Sequence, residues 1–140
     1  MNQRKLLQPR VVLDTNILVS ALLTPGGKPA SVVEFASGAV LTPCFDVRVL
    51  QEYHEVLGRG GFAFSRDEVA RLMRDLRRSG LPFLTPPSTF PLPDETDRPL
   101  LDVALAADAW LITGNLRHFP GVSKAMDPAE FLALLAKGVA

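Results

Sequence analysis

Val11-Val12-Leu13-Asp14-Thr15-Asn16 is an apolar run that ends abruptly in a carboxylate and two turn-forming polar residues. Three β-friendly residues without polar alternation read as a strand covered on both faces, the pattern of a parallel sheet. Asp14 and Thr15 are good helix N-caps, and Ile17, Leu18, Ala21 and Leu22 recur behind them at helical spacing. The unit is strand, acid, helix. In open α/β sheets ligands gather at the carboxyl ends of strands. Asp14 is therefore either a plain helix cap or the first residue of a site, and this stretch alone leaves both open.

Outward from this unit the chain alternates between strand and helix patterns. Thr24 to Pro29 is a dense turn signal, and a second helix is expected around Val32 to Ala36, closed by Ser37-Gly38. Val40 to Pro43 reads as a short strand ending at proline. Val49, Leu50, Tyr53, Val56 and Leu57 predict an amphipathic helix over Val47 to Leu57 that carries Glu52 and Glu55. Ser65 to Glu68 is a capping-box pattern, and Val69, Leu72, Met73 and Leu76 form the core stripe of a helix to about Arg78. Leu81 to Leu84 is an edge-strand candidate interrupted by Pro82, and Thr85 to Pro93 a proline-rich connection. From Asp97 an almost wholly apolar helix follows, then a buried strand at Trp110 to Thr113 that turns at Gly114-Asn115. A short strand within Val122 to Met126 and a helix begun by Asp127-Pro128 complete the order. It predicts an α/β fold with a mostly parallel central sheet.

A chain of 140 residues with 47% hydrophobic content suits a single domain over 1–140. No apolar run nears the ~20 residues of a membrane span, and Met1 to Pro9 lacks the apolar segment of a secretory signal, so a cytoplasmic protein is expected. Cys44, the single cysteine, cannot form an internal disulfide and has no zinc-ligand neighbours; it is expected as a small buried residue. Fifteen basic and fifteen acidic residues cancel, so net charge argues neither for nor against nucleic acid. Their distribution is uneven: Arg59, Arg66, Arg71, Arg74, Arg77 and Arg78 precede Asp94, Glu95, Asp97 and Asp102. A cationic face beside an acidic pocket suits a metal-dependent enzyme acting on a polyanion, while a solvated helix face explains the same arginines.

Asp14, Glu52, Asp97 and Asn115 are distant in the chain, yet three of them fall at element ends, where α/β folds gather ligands. Carboxylate and amide oxygens are the donors that Mg²⁺ and Mn²⁺ take, and a metal-activated water attacking a phosphodiester is the natural reaction of such a pocket. Thr15, Asn16 and Thr113 are placed to hold Asp14 and Asn115 by hydrogen bonds, although local capping uses the same atoms. His54 and His118 lack partners at metal-ligand or triad spacing, and both are expected to be structural or surface residues.

Taken together, Val12 to Ala21, Leu50 to Leu57, and Asp97 with Leu111 to Phe119 give the chain, from Arg10 to about Leu135, a likeness to a known family. It resembles PIN-domain proteins, and among them the toxin components of bacterial and archaeal toxin–antitoxin systems. The resemblance implies a three-layer α/β/α sandwich and a Mg²⁺- or Mn²⁺-dependent ribonuclease that cuts single-stranded RNA, forms a homodimer and is inhibited by a protein antitoxin. It matches Asp14, Glu52 and Asp97 to the family's first three acids, and puts Asn115 where a fourth aspartate often stands. An asparagine carbonyl can face an ion but brings no charge. Asp94, Glu95, Glu55 and Asp102 are candidates to compensate; Asp102 is the poorer, about 140° around a helix from Asp97. Arg71, Arg74, Arg78 and Arg117 are the candidate RNA contacts. A non-catalytic PIN-like module that binds RNA or a protein is the competing reading. An aspartate-nucleophile phosphotransferase is disfavoured, because no second acid stands two residues past Asp14.

Overall fold

The structure is a computed structural model that describes residues 8–138 and 140. The apolar run opens it as β1 (Arg10–Leu13), and α1 (Thr15–Leu23) follows Asp14 directly. Then come α2 (Lys28–Ser37), β2 (Thr42–Phe45), α3 (Val47–Leu57), α4 (Arg66–Ser79) and β3 (Leu81–Pro82). A 3₁₀ turn at Glu95–Asp97 leads into α5 (Arg98–Ala107), β4 (Trp110–Ile112), a second 3₁₀ turn at Leu116–His118, β5 (Ala125–Met126) and α6 (Pro128–Ala136).

All five strands are parallel, in the order β3-β2-β1-β4-β5. The expected α/β sandwich is present. β1 lies at the centre because it is covered on both faces: Val11, Val12 and Leu13 are completely or almost completely buried. α5 packs against β1, β2 and β4, which explains its lack of a polar stripe; Leu100, Leu101, Val103, Ala104 and Ala107 are all buried there. α2 and α4 pack on β2 and on each other, with α6 against α2. Reciprocal capping boxes begin α4 (Ser65 with Glu68) and α6 (Asp127 with Glu130), as their sequence patterns predict.

Three boundaries differ from the sequence reading. α2 begins four residues before Val32, at Lys28, because Pro29 fits the first helical turn, where its missing N–H is not needed. β2 does not end at Pro43 but continues to Phe45. Thr42 N donates towards β1, to Pro9 O at 2.8 Å, so Pro43 N faces the other edge of the strand. β3 joins that edge only from Cys44 onward, and no ladder bond is lost. β3 and β5 are two residues long, shorter than Leu81–Leu84 and Val122–Met126 suggested, and both sit at sheet edges where one neighbour alone supports them.

Cys44 is buried, and burial pushes its thiol up to about 12, consistent with a small core residue. No helix of the described residues is long and apolar enough to cross a membrane.

Gly80 closes α4 for a steric reason. A Cβ there would lie 2.4 Å from Pro43 O, 2.6 Å from Phe45 Cε2 and 2.7 Å from Leu76 O. Only a residue without a side chain lets the chain leave α4 and pair with β2 so closely. Gly80→Ala is expected to cost about 1–3 kcal/mol through overpacking, read as a lower urea midpoint. A midpoint equal to wild type would mean that the β2–β3 edge yields freely.

Candidate functional site

The site is built where β1 and β4 end side by side. Asp14 N donates to Ile112 O at 2.9 Å, carrying the β1–β4 pairing one step past the sheet. The Asp14 side chain accepts from Thr113 Oγ1 at 2.8 Å and from Asn16 N at 3.4 Å, and the residue is 8% exposed. Asp14 is thus both the N-cap of α1 and a buried carboxylate at the sheet's carboxyl end. The alternatives left open by the sequence are not exclusive.

Glu52 comes from α3, on the side opposite β4. Thr15 Oγ1 donates to Glu52 Oε2, so the residue after Asp14 draws the second carboxylate in. The neighbouring Tyr53, buried, donates its hydroxyl to Leu13 O at 2.5 Å and ties α3 to the end of β1. Burial raises the Tyr53 pKa, with the charges of Asp14 and Glu52 adding to it. The phenol therefore stays protonated as a fixed donor.

Asp97 ends the first 3₁₀ turn and stands at the N-terminus of α5. Its Oδ2 lies 3.0 Å from His118 Nδ1. Burial raises the Asp97 pKa; His118 opposes this, and the charges of Asp14 and Asp94 reinforce it. The charge of Asp14 thus reaches Asp97, and the charges of Asp14 and Glu52 both reach Tyr53. The three acids share one field.

The remaining candidates divide clearly. Asn115 N donates to Thr113 Oγ1 at 2.9 Å, which orients the hydroxyl that holds Asp14, while the Asn115 side chain is exposed at the head of the second 3₁₀ turn. Thr15, Asn16 and Thr113 all take part in the hydrogen bonding around Asp14. Arg117 is exposed beside His118. Arg71 lines a cleft of about 580 Å³ between α1, α2 and α4, together with Glu34, Glu68 and Asp75, and Arg78 pairs with Asp75 at 2.8 Å. Arg74 is exposed on α4. Of the possible compensating acids, Glu95 is clamped by Arg98, and Asp102 is buried against Arg48 Nη1 and Nη2 at 3.3 Å and Ser88 N at 2.8 Å. Asp94 accepts from Thr96 N and Oγ1, and Glu55 is exposed.

His118 lies at the surface as expected, its side chain 45% exposed, but sequence reasoning missed its partner. Expected at the surface without a partner, it meets Asp97 from 21 residues away because the turn after β4 folds back over the start of α5. No spacing rule carries that signal. His54 binds Arg77 Nη2 through its Nε2 at 2.9 Å and is exposed.

The donors Asp14, Glu52 and Asp97 are hard oxygens suited to Mg²⁺ or Mn²⁺. Among the described residues no three acidic, histidine or cysteine side chains are gathered closely enough to hold an ion by themselves. Mg²⁺ commonly binds through one or two carboxylates and keeps several waters, so the set fits a largely hydrated ion. One further acceptor lies here: Asn16 Oδ1 is buried and, among the described residues, has no hydrogen-bond partner; it lies 3.9 Å from where a Cβ at Gly114 would stand.

The sequence profile described as PIN domain matches residues 10–117. No curated protein and no solved structure matches the chain.

Because Asp97 is easier to protonate in the folded protein than in the unfolded chain, its ionised form opposes folding above the folded pKa, and the opposition disappears as pH falls through that value. Asp97→Asn is expected to raise the stability of the metal-free protein at pH 7 and to give no gain in acid, where wild-type Asp97 is already neutral. Urea denaturation in chelator at both pH values measures the difference.

Proposed function

Since the chain belongs to the PIN-domain family, whose members are generally nucleases, we propose that it is a metal-dependent endoribonuclease that cuts single-stranded RNA and serves as the toxin of a toxin–antitoxin pair. The observation that supports the reading is the chain of contacts that brings Asp14, Thr113, Thr15 and Glu52 together at the carboxyl end of the sheet, with the charge of Asp14 making Asp97 costlier to ionise. Such repulsion is what a divalent cation relieves. Mg²⁺ or Mn²⁺ held there supplies a water acidic enough to attack a phosphodiester at neutral pH.

The chain's own groups have separable tasks. Thr113 Oγ1 and Asn16 N hold the two oxygens of Asp14, so the carboxylate would be placed for an ion without rearranging. Thr15 holds Glu52 in the same way, and His118 orients Asp97. Asn115 offers a neutral carbonyl at the rim, and Arg117 a cation for a phosphate on the same side. The antitoxin and a second copy of the chain are the proposed protein partners, and the cytoplasm the proposed compartment.

A non-catalytic module remains the second reading, favoured by the exposed and uncharged side chain of Asn115. RNA cleavage with and without Mn²⁺ separates the two. Asp14→Asn is expected to leave folding intact and to lower Mn²⁺-dependent cleavage by at least about 100-fold, the upper end of what loss of a group supporting an ion costs. Calorimetric titration should show Mn²⁺ affinity falling with it. Unchanged affinity in the folded variant excludes Asp14 as a principal ligand.

Asn115→Asp adds a negative charge beside the same pocket. Mn²⁺ affinity should rise, and the melting temperature in saturating Mn²⁺ should separate further from that in chelator. An unchanged gap between the two melting curves places Asn115 outside the ion's reach.

A further inference from the structure

A second cleft, of about 470 Å³, opens at the far end of α3, where Gly58-Arg59-Gly60-Gly61 leads to the start of α4. Phe62 and Phe64 stack within it, ring centroids 4.8 Å apart and planes inclined by 15°. The two rings are not equivalent. Phe64 packs against the hydrophobic core, whereas Phe62 lies on Phe64 outside it, and both stay half-exposed. A core would have buried the outer ring. Here it lines the cleft, where an entering planar group would meet it.

The charged side chains lining the cleft are basic, and the carboxylate of Glu68 stands next to it, bonded to Ser65 N at 3.2 Å. Arg59 and Arg66 line the cleft, are exposed, and have no ion pair among the described residues. His54, also in the lining, binds Arg77 at 2.9 Å and so keeps a third guanidinium at the rim. Among the described residues no aspartate or glutamate lines this cleft, whereas the one between α1, α2 and α4 sets Glu34, Glu68 and Asp75 around Arg71. A polyanion is drawn to the former and not to the latter. Unpaired guanidinium groups next to a stacked aromatic platform are the two components that bind single-stranded nucleic acid, phosphate on cation and base on ring.

Position links the cleft to the acidic pocket. Gly58, the C-cap of α3, follows Glu52 by six residues, about 9 Å along the helix axis, and His54 in the cleft lies about 200° around α3 from Glu52, so a strand reaching from one to the other passes around α3 over a few nucleotides. We propose that this cleft is a base-stacking subsite for single-stranded RNA, with a base on Phe62 and its flanking phosphates on Arg59 and Arg66, holding the strand a few nucleotides from the acids. The proposal rests on the RNA reading of the acidic pocket and names how the substrate is gripped there.

Fluorescence anisotropy in chelator, where no cleavage occurs, tests it with two labelled probes of equal length, oligoadenylate RNA and its abasic counterpart. Wild type should bind the base-bearing strand about 10-fold more tightly, the effect of one stacked base. Phe62→Ala should abolish that preference and leave abasic binding unchanged, while Phe62→Tyr retains it. Phe62→Leu, which keeps apolar cover over Phe64 without a stacking face, decides the matter if the alanine variant unfolds, and should also lose the preference. Arg59→Ser combined with Arg66→Ser should weaken both probes and reduce the salt slope by about 1.4, the value for two phosphates on a single strand.

A base preference that survives in folded Phe62→Ala or Phe62→Leu overturns the subsite, as does equal binding of both probes by wild type. In either case RNA still binds and the cleavage reading stands. Wild type that binds neither probe overturns the subsite and the RNA reading together. Self-association lost in Phe62→Ala with RNA affinity unchanged replaces the subsite with a protein contact.

Discussion

The hydrogen bond from Thr113 Oγ1 to Asp14 Oδ2, 2.8 Å long and buried, joins two strand ends 99 residues apart, and the geometry of the pocket depends on it. A buried carboxylate is tolerated only when its oxygens are satisfied. Here the satisfying groups are the β4 hydroxyl and the first turn of α1, so the partners that make burial possible also set the direction in which Asp14 points. The Tyr53 hydroxyl on Leu13 O and the Thr15 hydroxyl on Glu52 add α3 to the same junction. β1, β4 and α3 meet there through side chains as well as through the core.

Asp97 reaches the pocket by another route, along a segment with little regular structure. The connection from Phe83 to Pro93 is held by a polar clamp in place of a ladder. Arg48 spans Asp46, Thr85 and the buried Asp102, and Asp102 in turn accepts from Ser88 N. Arg98 donates to Phe90 O at 2.6 Å and to Ser88 Oγ at 3.1 Å. These bonds seat the connection on α5 and on the start of α3, and thereby set where the turn carrying Asp97 begins. Asp102 belongs to this clamp. Its carboxylate is fully buried, so Arg48 and Ser88 are needed to make the burial tolerable.

Most of the architecture was legible because each element announced itself locally. The unalternated run Val11–Leu13 signalled a strand covered on both faces, and the capping boxes at Ser65 and Asp127 located two helix starts to the residue. Boundaries were missed where a neighbour decided them. Pro43 reads as a terminator, yet it is harmless because its nitrogen faces an edge that β3 has not yet reached. Leu81 to Leu84 had strand composition, but only two of its residues meet a partner.

The sequence by itself determined the parallel α/β order, the position of Asp14 between strand and helix, and the residue types gathered around it, because strand burial, helix periodicity and capping are effects of near neighbours in the chain. The tertiary structure alone decided which distant groups became partners: Asp102 turned to Arg48, and Asp97 to His118. It also decided that Arg71 lies among carboxylates while Arg59 and Arg66 line an acid-free cleft. The physical reason is that electrostatic and hydrogen-bond pairing depends on distance in space. A separation of 21 or 99 residues becomes contact only after strands, turns and clamps have been packed.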